Sequence, residues 1–290
     1  MTRRQHGKNG IFWLASYPKS GNTWMRIFLT NYGRNSTKPA DINHLDRTPI
    51  SSARPFFDEY AGVEASDLTP DEIQAARPHV YRLHGRDGLH YMKAHDAYLI
   101  LPDGNPLFPV DVTRGAIYMI RNPLDVAVSY AAHDGTSIDK IIQRMSKPHV
   151  TLAENPRDLP DQLPQYLGTW SSHAESWLNA PVPVLVVRYE DLSSDPAQHF
   201  TNVVRFVGAP YDPVRLRRAI AFSSFSELRR QEDEQGFRER TAPNLRFFRK
   251  GKVGNWRESL TSEQAAQIIH DHRDMMQRFG YLTPAGEVAY

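Results

Sequence analysis

A chain of 290 residues, 40% hydrophobic and 23% charged, is long enough for one large α/β domain or two small ones and too apolar to remain disordered. Its 35 basic and 33 acidic side chains leave a formal charge of +2, which argues against nucleic-acid or membrane binding by bulk electrostatics. Without cysteine there is no disulfide framework and no thiolate metal site, and no window approaches the roughly 20 apolar residues of a membrane span, so the expectation is a soluble, cytoplasmic protein.

In chain order, the basic N-terminus MTRRQHGKNG lacks the apolar core and cleavage site of a signal peptide. The run IFWLAS (11–16) predicts a buried strand. The turn SYPKSGNTW (16–24) follows, and then a helix whose Met25, Phe28, Leu29 and Tyr32 recur at i, i+3, i+4 and i+7. Residues 34–88 are rich in Pro, Asp, Arg and Ser with weak periodicity, and read as a long irregular insertion; 134–165 and 229–248 read the same way. Further strands are predicted at 89–94, 115–121 and 182–189. Asn122-Pro123 opens a helix through LDVAVSYAAH, and Asp195-Pro196 opens another that ends at Gly208. Thr261 and Gln264 form a capping-box pattern before a last helix with Ala265, Ile268, Ile269, His272, Met276 and Phe279 on one face. This alternation predicts an α/β fold with a central, mainly parallel sheet and helices on both faces, as a single P-loop-like domain over 1–290.

Three stretches carry chemistry. SYPKSGNTW has the strand–loop–helix layout of a phosphate loop but not G-x-x-x-x-G-K-[ST]: with Gly21-Asn22-Thr23 laid on G-K-T, Asn22 replaces the lysine and Lys19 stands three residues early. Unpaired N–H groups at the helix start, Gly21, the Lys19 charge and the donors Ser20, Asn22 and Thr23 suit an anion, but a plain βα turn is also open. In YMIRNPLDVAVSY (118–130), Arg121 ends a strand where such folds bind ligands, and Ser129 lies about two turns into the next helix. Taken alone, a salt-bridged arginine and a solvated serine account for these better. In FFRKGKVGNWRESLT (247–261), Arg249, Lys250 and Gly251 suit a phosphate clamp or a basic surface loop.

Together and in this order, the three stretches resemble the 3′-phosphoadenosine-5′-phosphosulfate (PAPS)-dependent sulfotransferase family. YPKSGNTW is similar to its 5′-phosphosulfate loop, IRNPLDVAVSY to its 3′-phosphate segment and RKGKVGNW to its closing loop. The resemblance implies a sulfotransferase fold and transfer of a sulfuryl group by in-line displacement from PAPS to a hydroxyl of a small molecule, leaving adenosine 3′,5′-bisphosphate and using no metal. It implies that Lys19 stabilises the leaving oxygen and that Ser20, Gly21, Asn22 and Thr23 hold the 5′-phosphate. Arg121, Ser129, Arg249, Lys250 and Gly251 would hold the 3′-phosphate. Trp24 and Phe225 would sandwich adenine, with Tyr189 and Ser223 close by; from the residues alone, both aromatics pass as core. YMKAHD (91–96) matches the segment that supplies a histidine base, His95, with Lys93 as its companion. Nothing in spacing singles out His95 over His84 or His90. The family's C-terminal dimer motif is not matched, since Arg257, Thr261, Ser262 and Ala266 stand there and keep only the threonine. The absence of an anchor and of cysteine suits a soluble, cytosolic-type member, and the excess of Arg over Lys a bacterial one.

Two rivals remain at this level: a P-loop kinase of a small substrate, which lacks its lysine here, and a non-catalytic nucleotide-binding module of the same fold. The acceptor stays open. Phe56, Phe57, Tyr60, Tyr81, Tyr130, Tyr166 and Phe237 lie in the three irregular segments and would suit a phenol, alcohol, sugar or lipid, although aromatic residues are more often core than pocket.

Overall fold

A computed structural model describes residues 9–45, 48–153, 160–242 and 245–289. The N-terminal MTRRQHGK and parts of the three segments expected to be irregular lie outside the described residues. The chain runs β1 (Gly10–Ser16), α1 (Asn22–Arg34), α2 (Arg54–Ala61), α3 (Pro70–Asp87), β2 (Leu89–Ala94), β3 (Thr113–Ile120), α4 (Pro123–Asp134), α5 (Ile138–Ser146), β4 (Thr151–Leu152), β5 (Gln165–Tyr166), α6 (Trp170–Leu178), β6 (Val184–Arg188), α7 (Tyr189–Ser194), α8 (Pro196–Phe206), α9 (Pro213–Phe222), α10 (Phe225–Gln235) and α11 (Ser262–Arg278).

Four strands form the main sheet in the order β2-β1-β3-β6. Every neighbouring pair in it is parallel. Alternation along β1 divides the core: Ile11, Trp13 and Ala15 pack on one face, and Phe12 and Leu14 on the other with Met25, Phe28, Leu29 and Tyr32 of α1. Both faces are therefore buried, as in parallel sheets covered by helices on each side. Helix α11 starts at the expected capping box, Thr261 with Gln264.

The segment 34–88 is not an irregular insertion; it contains α2 and the 18-residue α3, the latter opened by a capping box of Thr69 and Glu72. Its hydrophobic period is diluted because α3 buries Arg77 and His84. Arg77 is fully buried, with Nη1 and Nη2 3.0 and 2.6 Å from the two Asp96 oxygens and Nε 2.9 Å from the Tyr81 hydroxyl. A charged residue thus occupies a core position that sequence patterning assigns to an apolar one. Segment 134–165 likewise contains α5, capped by Ser137, and α10 extends to Gln235 inside 229–248. Phe57 and Tyr81 are core residues, and Phe56 and Tyr60 pack against that core.

Candidate active site

Four parallel strands deliver their carboxyl ends to one edge. β2 and β3 lie on opposite sides of β1, which makes the end of β1 the switch point where open α/β sheets bind ligands. Lys19, His95, Arg121 and Tyr189, each just beyond a strand end, line one cleft of about 1180 Å³. All the sequence-predicted site residues line this cleft except Ser20, whose turn bounds it. Of the aromatic residues expected on the acceptor side, Tyr130 and Phe237 line it; Phe56, Phe57, Tyr60, Tyr81 and Tyr166 do not.

The β1–α1 turn is strained to shape. Lys19 has φ 65° and Gly21 φ 101°, and Gly21 precedes α1 without a side-chain cap on the helix N–H groups. Such a terminus offers donors to an anion. A Cβ on Gly21 would stand 2.9 Å from the Tyr189 ring, so glycine is required for this approach. The Ser20 hydroxyl is buried without a partner, as are Trp24 Nε1 and Arg121 Nε. Buried donors left open around one turn fit an anionic nucleotide. Asn22 departs from expectation: its amide nitrogen donates to the Leu14 carbonyl at 2.6 Å and the Ser16 hydroxyl at 3.1 Å. Asn22 therefore locks the turn to β1 and faces a ligand through its backbone N–H alone. The ammonium of Lys19 lies 3.9 Å from the centre of the Phe247 ring. Burial, then the nearby charges of Lys93 and Arg121, push its pKa down to about 7.

Lys93 on β2 and His95, the first residue beyond it, both line the cleft. His95 Nδ1 is 2.8 Å from the Ser16 carbonyl oxygen, which can only accept. Nδ1 therefore carries the proton, and Nε2 is the basic nitrogen. Burial, reinforced by Lys93, holds the imidazole pKa well below its ordinary value. His173 supports from below: its Nε2 donates to the His95 carbonyl at 2.9 Å and its Nδ1 accepts from the Tyr118 hydroxyl at 2.9 Å. His84 and His90, the other candidates, stack on each other with ring centres 3.6 Å apart and do not line the cleft.

Arg121 joins three segments. Nη2 donates to the Lys252 carbonyl at 3.0 Å, Nη1 lies 3.5 Å from the Lys19 carbonyl, and the guanidinium sits 4.3 Å over the Tyr189 ring. Asp125, one turn further along α4, accepts from Gly254 N at 2.8 Å and Trp256 N at 2.9 Å, which holds the 249–256 loop against α4. Gly251 (φ 62°) lies so close to Phe225 that a Cβ would stand 2.4 Å from the ring. Lys250 is turned toward its own loop, 2.6 Å from Asn255 Oδ1 and 3.1 Å from Glu258. Ser223 is fully buried and donates to the Ala219 carbonyl at 2.7 Å, so its hydroxyl proton is committed within α9. Sequence reasoning missed Asp125, whose i+4 spacing from Arg121 was a usable signal, and Arg26, His133, Glu239 and Phe247, for which there was none.

Among the described residues no cluster of three His, Asp or Glu side chains could hold a metal, and no helix is long and apolar enough to cross a membrane. A family model described as a sulfotransferase domain matches residues 10–280. Sulfotransferase 1A1 of Canis lupus familiaris is 24% identical over 286 residues, covering 92% of this chain and 83% of its own. The 3-beta-hydroxysteroid sulfotransferase of Cavia porcellus is 25% identical, covering 90% and 82%. Among solved structures, retinol dehydratase in complex with androsterone and the inactive cofactor PAP superposes with a TM-score of 0.58 at 19% identity, over 92% of this chain and 80% of that one.

Proposed function

Since this chain belongs to the sulfotransferase domain family, whose members move a sulfuryl group from PAPS to a small molecule, we propose how its own residues perform that transfer. Bound PAPS supplies the sulfuryl group already activated on a phosphate leaving group. The helix-start N–H groups, the Ser20 hydroxyl and Thr23 hold the 5′-phosphate, and Arg121 with the 249–251 loop holds the 3′-phosphate. Trp24, Phe225 and Tyr189 enclose the base. Lys19, as an ammonium, offsets charge that builds on the leaving oxygen, a service that preorganised electrostatics renders in a dry site. His95 takes the proton of the acceptor through Nε2, and its lowered pKa keeps it in the neutral form this requires.

The observation that carries this reading is the 2.8 Å bond from His95 Nδ1 to the Ser16 carbonyl, which orients the base from the strand that also presents Lys19. Asn22 stands at the place of a kinase lysine with its amide bound to Leu14 and Ser16, which gives the kinase reading no support. The acceptor is a small molecule, in this proposal one that reacts through a hydroxyl, because a histidine base is more needed there than at an amine.

The test is a screen of phenols, alcohols, sugars and amines with radiolabelled PAPS, repeated on His95→Ala. Turnover should fall by roughly 10²–10⁴-fold, while affinity for adenosine 3′,5′-bisphosphate stays within about threefold. Near-normal turnover in the variant would move the base elsewhere, and exclusive transfer to amines would overturn the hydroxyl assignment.

A further inference from the structure

At the transfer end of the cleft lies a charge cluster of Lys93, which the resemblance names only as the companion of His95, with Arg26 and Glu239, to which neither the resemblance nor the proposed mechanism gives a role. Lys93 Nζ is 2.9 Å from Glu239 Oε2, and Arg26 Nη1 bonds to Glu239 Oε1. The Arg26 and Lys93 side chains are only 5% and 10% exposed. Arg26 belongs to α1, directly behind the phosphate turn, and its Nε is held by the Thr48 carbonyl at 3.0 Å. Lys93, on β2, precedes His95 by two residues. Glu239 comes from neither element. It sits on the 236–242 segment, more than 140 residues from Lys93.

That segment is fastened on both sides. Glu232, at the end of α10, accepts from the backbone N–H groups of Phe247 and Phe248 at 2.7 and 2.9 Å and from Arg240 Nε at 2.7 Å. The Thr241 hydroxyl donates to the His133 carbonyl at the end of α4. Glu239 then ties the segment by charge to Arg26 and Lys93. Lys19, Lys93, Arg26 and Arg121 line the same cleft as Glu239, and an uncompensated cluster of that kind expels protons or distorts. Glu239 is bonded to two of the four cations, and Asp125 lies near a third, Arg121, at 3.7 Å.

We propose, building on the transfer mechanism above, that Glu239 is a positioning residue of the sulfuryl-transfer site. Its carboxylate, carried in on the acceptor-side segment, clamps Lys93 and Arg26 into one rigid unit and supplies the countercharge that lets Lys19 stay an ammonium. Closure of the segment, placement of Lys93 and the charge of Lys19 then form a single event.

The experiment is competitive acetylation of the whole, native protein with trace acetic anhydride at pH 7, read residue by residue by mass spectrometry. Glu239→Gln and Glu239→Asp are compared with wild type. In Glu239→Gln, acetylation of Lys93 and Lys19 should rise about three- to tenfold, while exposed Lys140 is unchanged. Glu239→Asp, which keeps the charge, should restore most of the protection. An unchanged Lys93, or a uniform rise that includes Lys140, overturns the proposal. The failure of wild type to bind adenosine 3′,5′-bisphosphate is a separate result that strikes the functional reading instead.

Discussion

Gly251→Ala tests whether the 249–251 loop is built around the adenine side of the cleft. The new Cβ would lie 2.4 Å from Phe225 Cδ2, 2.6 Å from Cε2 and 2.9 Å from Cγ, with backbone φ at 62°. A left-handed conformation costs a non-glycine residue about 1 kcal/mol, and forcing a methyl into packed atoms costs about 1–3 kcal/mol more. The Gly251→Ala protein without nucleotide is expected to relieve both by shifting the 249–251 tip off Phe225. Nucleotide binding that needs the loop in place must then bear the 2–4 kcal/mol, which weakens affinity for adenosine 3′,5′-bisphosphate by roughly 30- to several-hundred-fold. Isothermal titration of Gly251→Ala alone and on a Phe225→Ala background separates the causes. With the ring removed only the backbone cost remains, and the effect of the glycine substitution should shrink to about fivefold. If Gly251→Ala binds within twofold of wild type, the loop does not close on Phe225 when nucleotide is bound and the reasoning fails.

Two shorter predictions concern the other end of the nucleotide and the base. Asp125→Asn removes a charged acceptor of the Gly254 and Trp256 N–H groups, so it should weaken adenosine 3′,5′-bisphosphate at least tenfold but 5′-AMP by less than twofold; equal weakening of both would mark a merely structural role. Burial, reinforced by Lys93, holds the His95 pKa well below the 6.5 of a free imidazole, so the acid limb of kcat/KM should fall below that value, and a midpoint at 6.5 or above would contradict the environment of that ring.

The strands and the chemistry at their ends were legible in sequence because parallel strands buried on both faces are unbroken apolar runs, and Lys19, His95, Arg121 and Tyr189 stand directly after them. Helix α3 was not, because Arg77 occupies a core position with Asp96 as its partner, and such pairing dilutes the hydrophobic period; α2 is only eight residues long, and the period of α5, Ile138, Ile141, Ile142 and Met145, was present but was not read. Asn22 and Ser223 were recognised as site residues but not for what their side chains do. Their partners, Leu14, Ser16 and Ala219, are backbone and hydroxyl groups whose closeness depends on the fold. The Arg26–Glu239 pair joins residues 213 apart and had no local signature at all.

Lys19 shows what this arrangement demands of the fold. A non-glycine residue held at φ 65° and an ammonium held by burial beside Lys93 and Arg121 are both unfavourable, the Phe247 ring face 3.9 Å away offsets only part of that cost, and they meet at the residue proposed to act on the leaving oxygen. The sign of its titration follows. The folded pKa of about 7 lies below the 10.5 of an ordinary lysine, so below pH 7 the protein bears the full cost of holding the charge, and that cost is released as pH rises from 7 toward 10. That difference corresponds to an upper bound on the order of 5 kcal/mol. Lys19→Met keeps the length and the backbone conformation but removes the charge. It should therefore be more stable than wild type toward urea at pH 6, with the gap closing by pH 9.5, while binding adenosine 3′,5′-bisphosphate more weakly at the lower pH. Parallel stability curves for the two proteins across that range would mean that Lys19 is not held as a buried ammonium, and its assigned part in the transfer would fall with it.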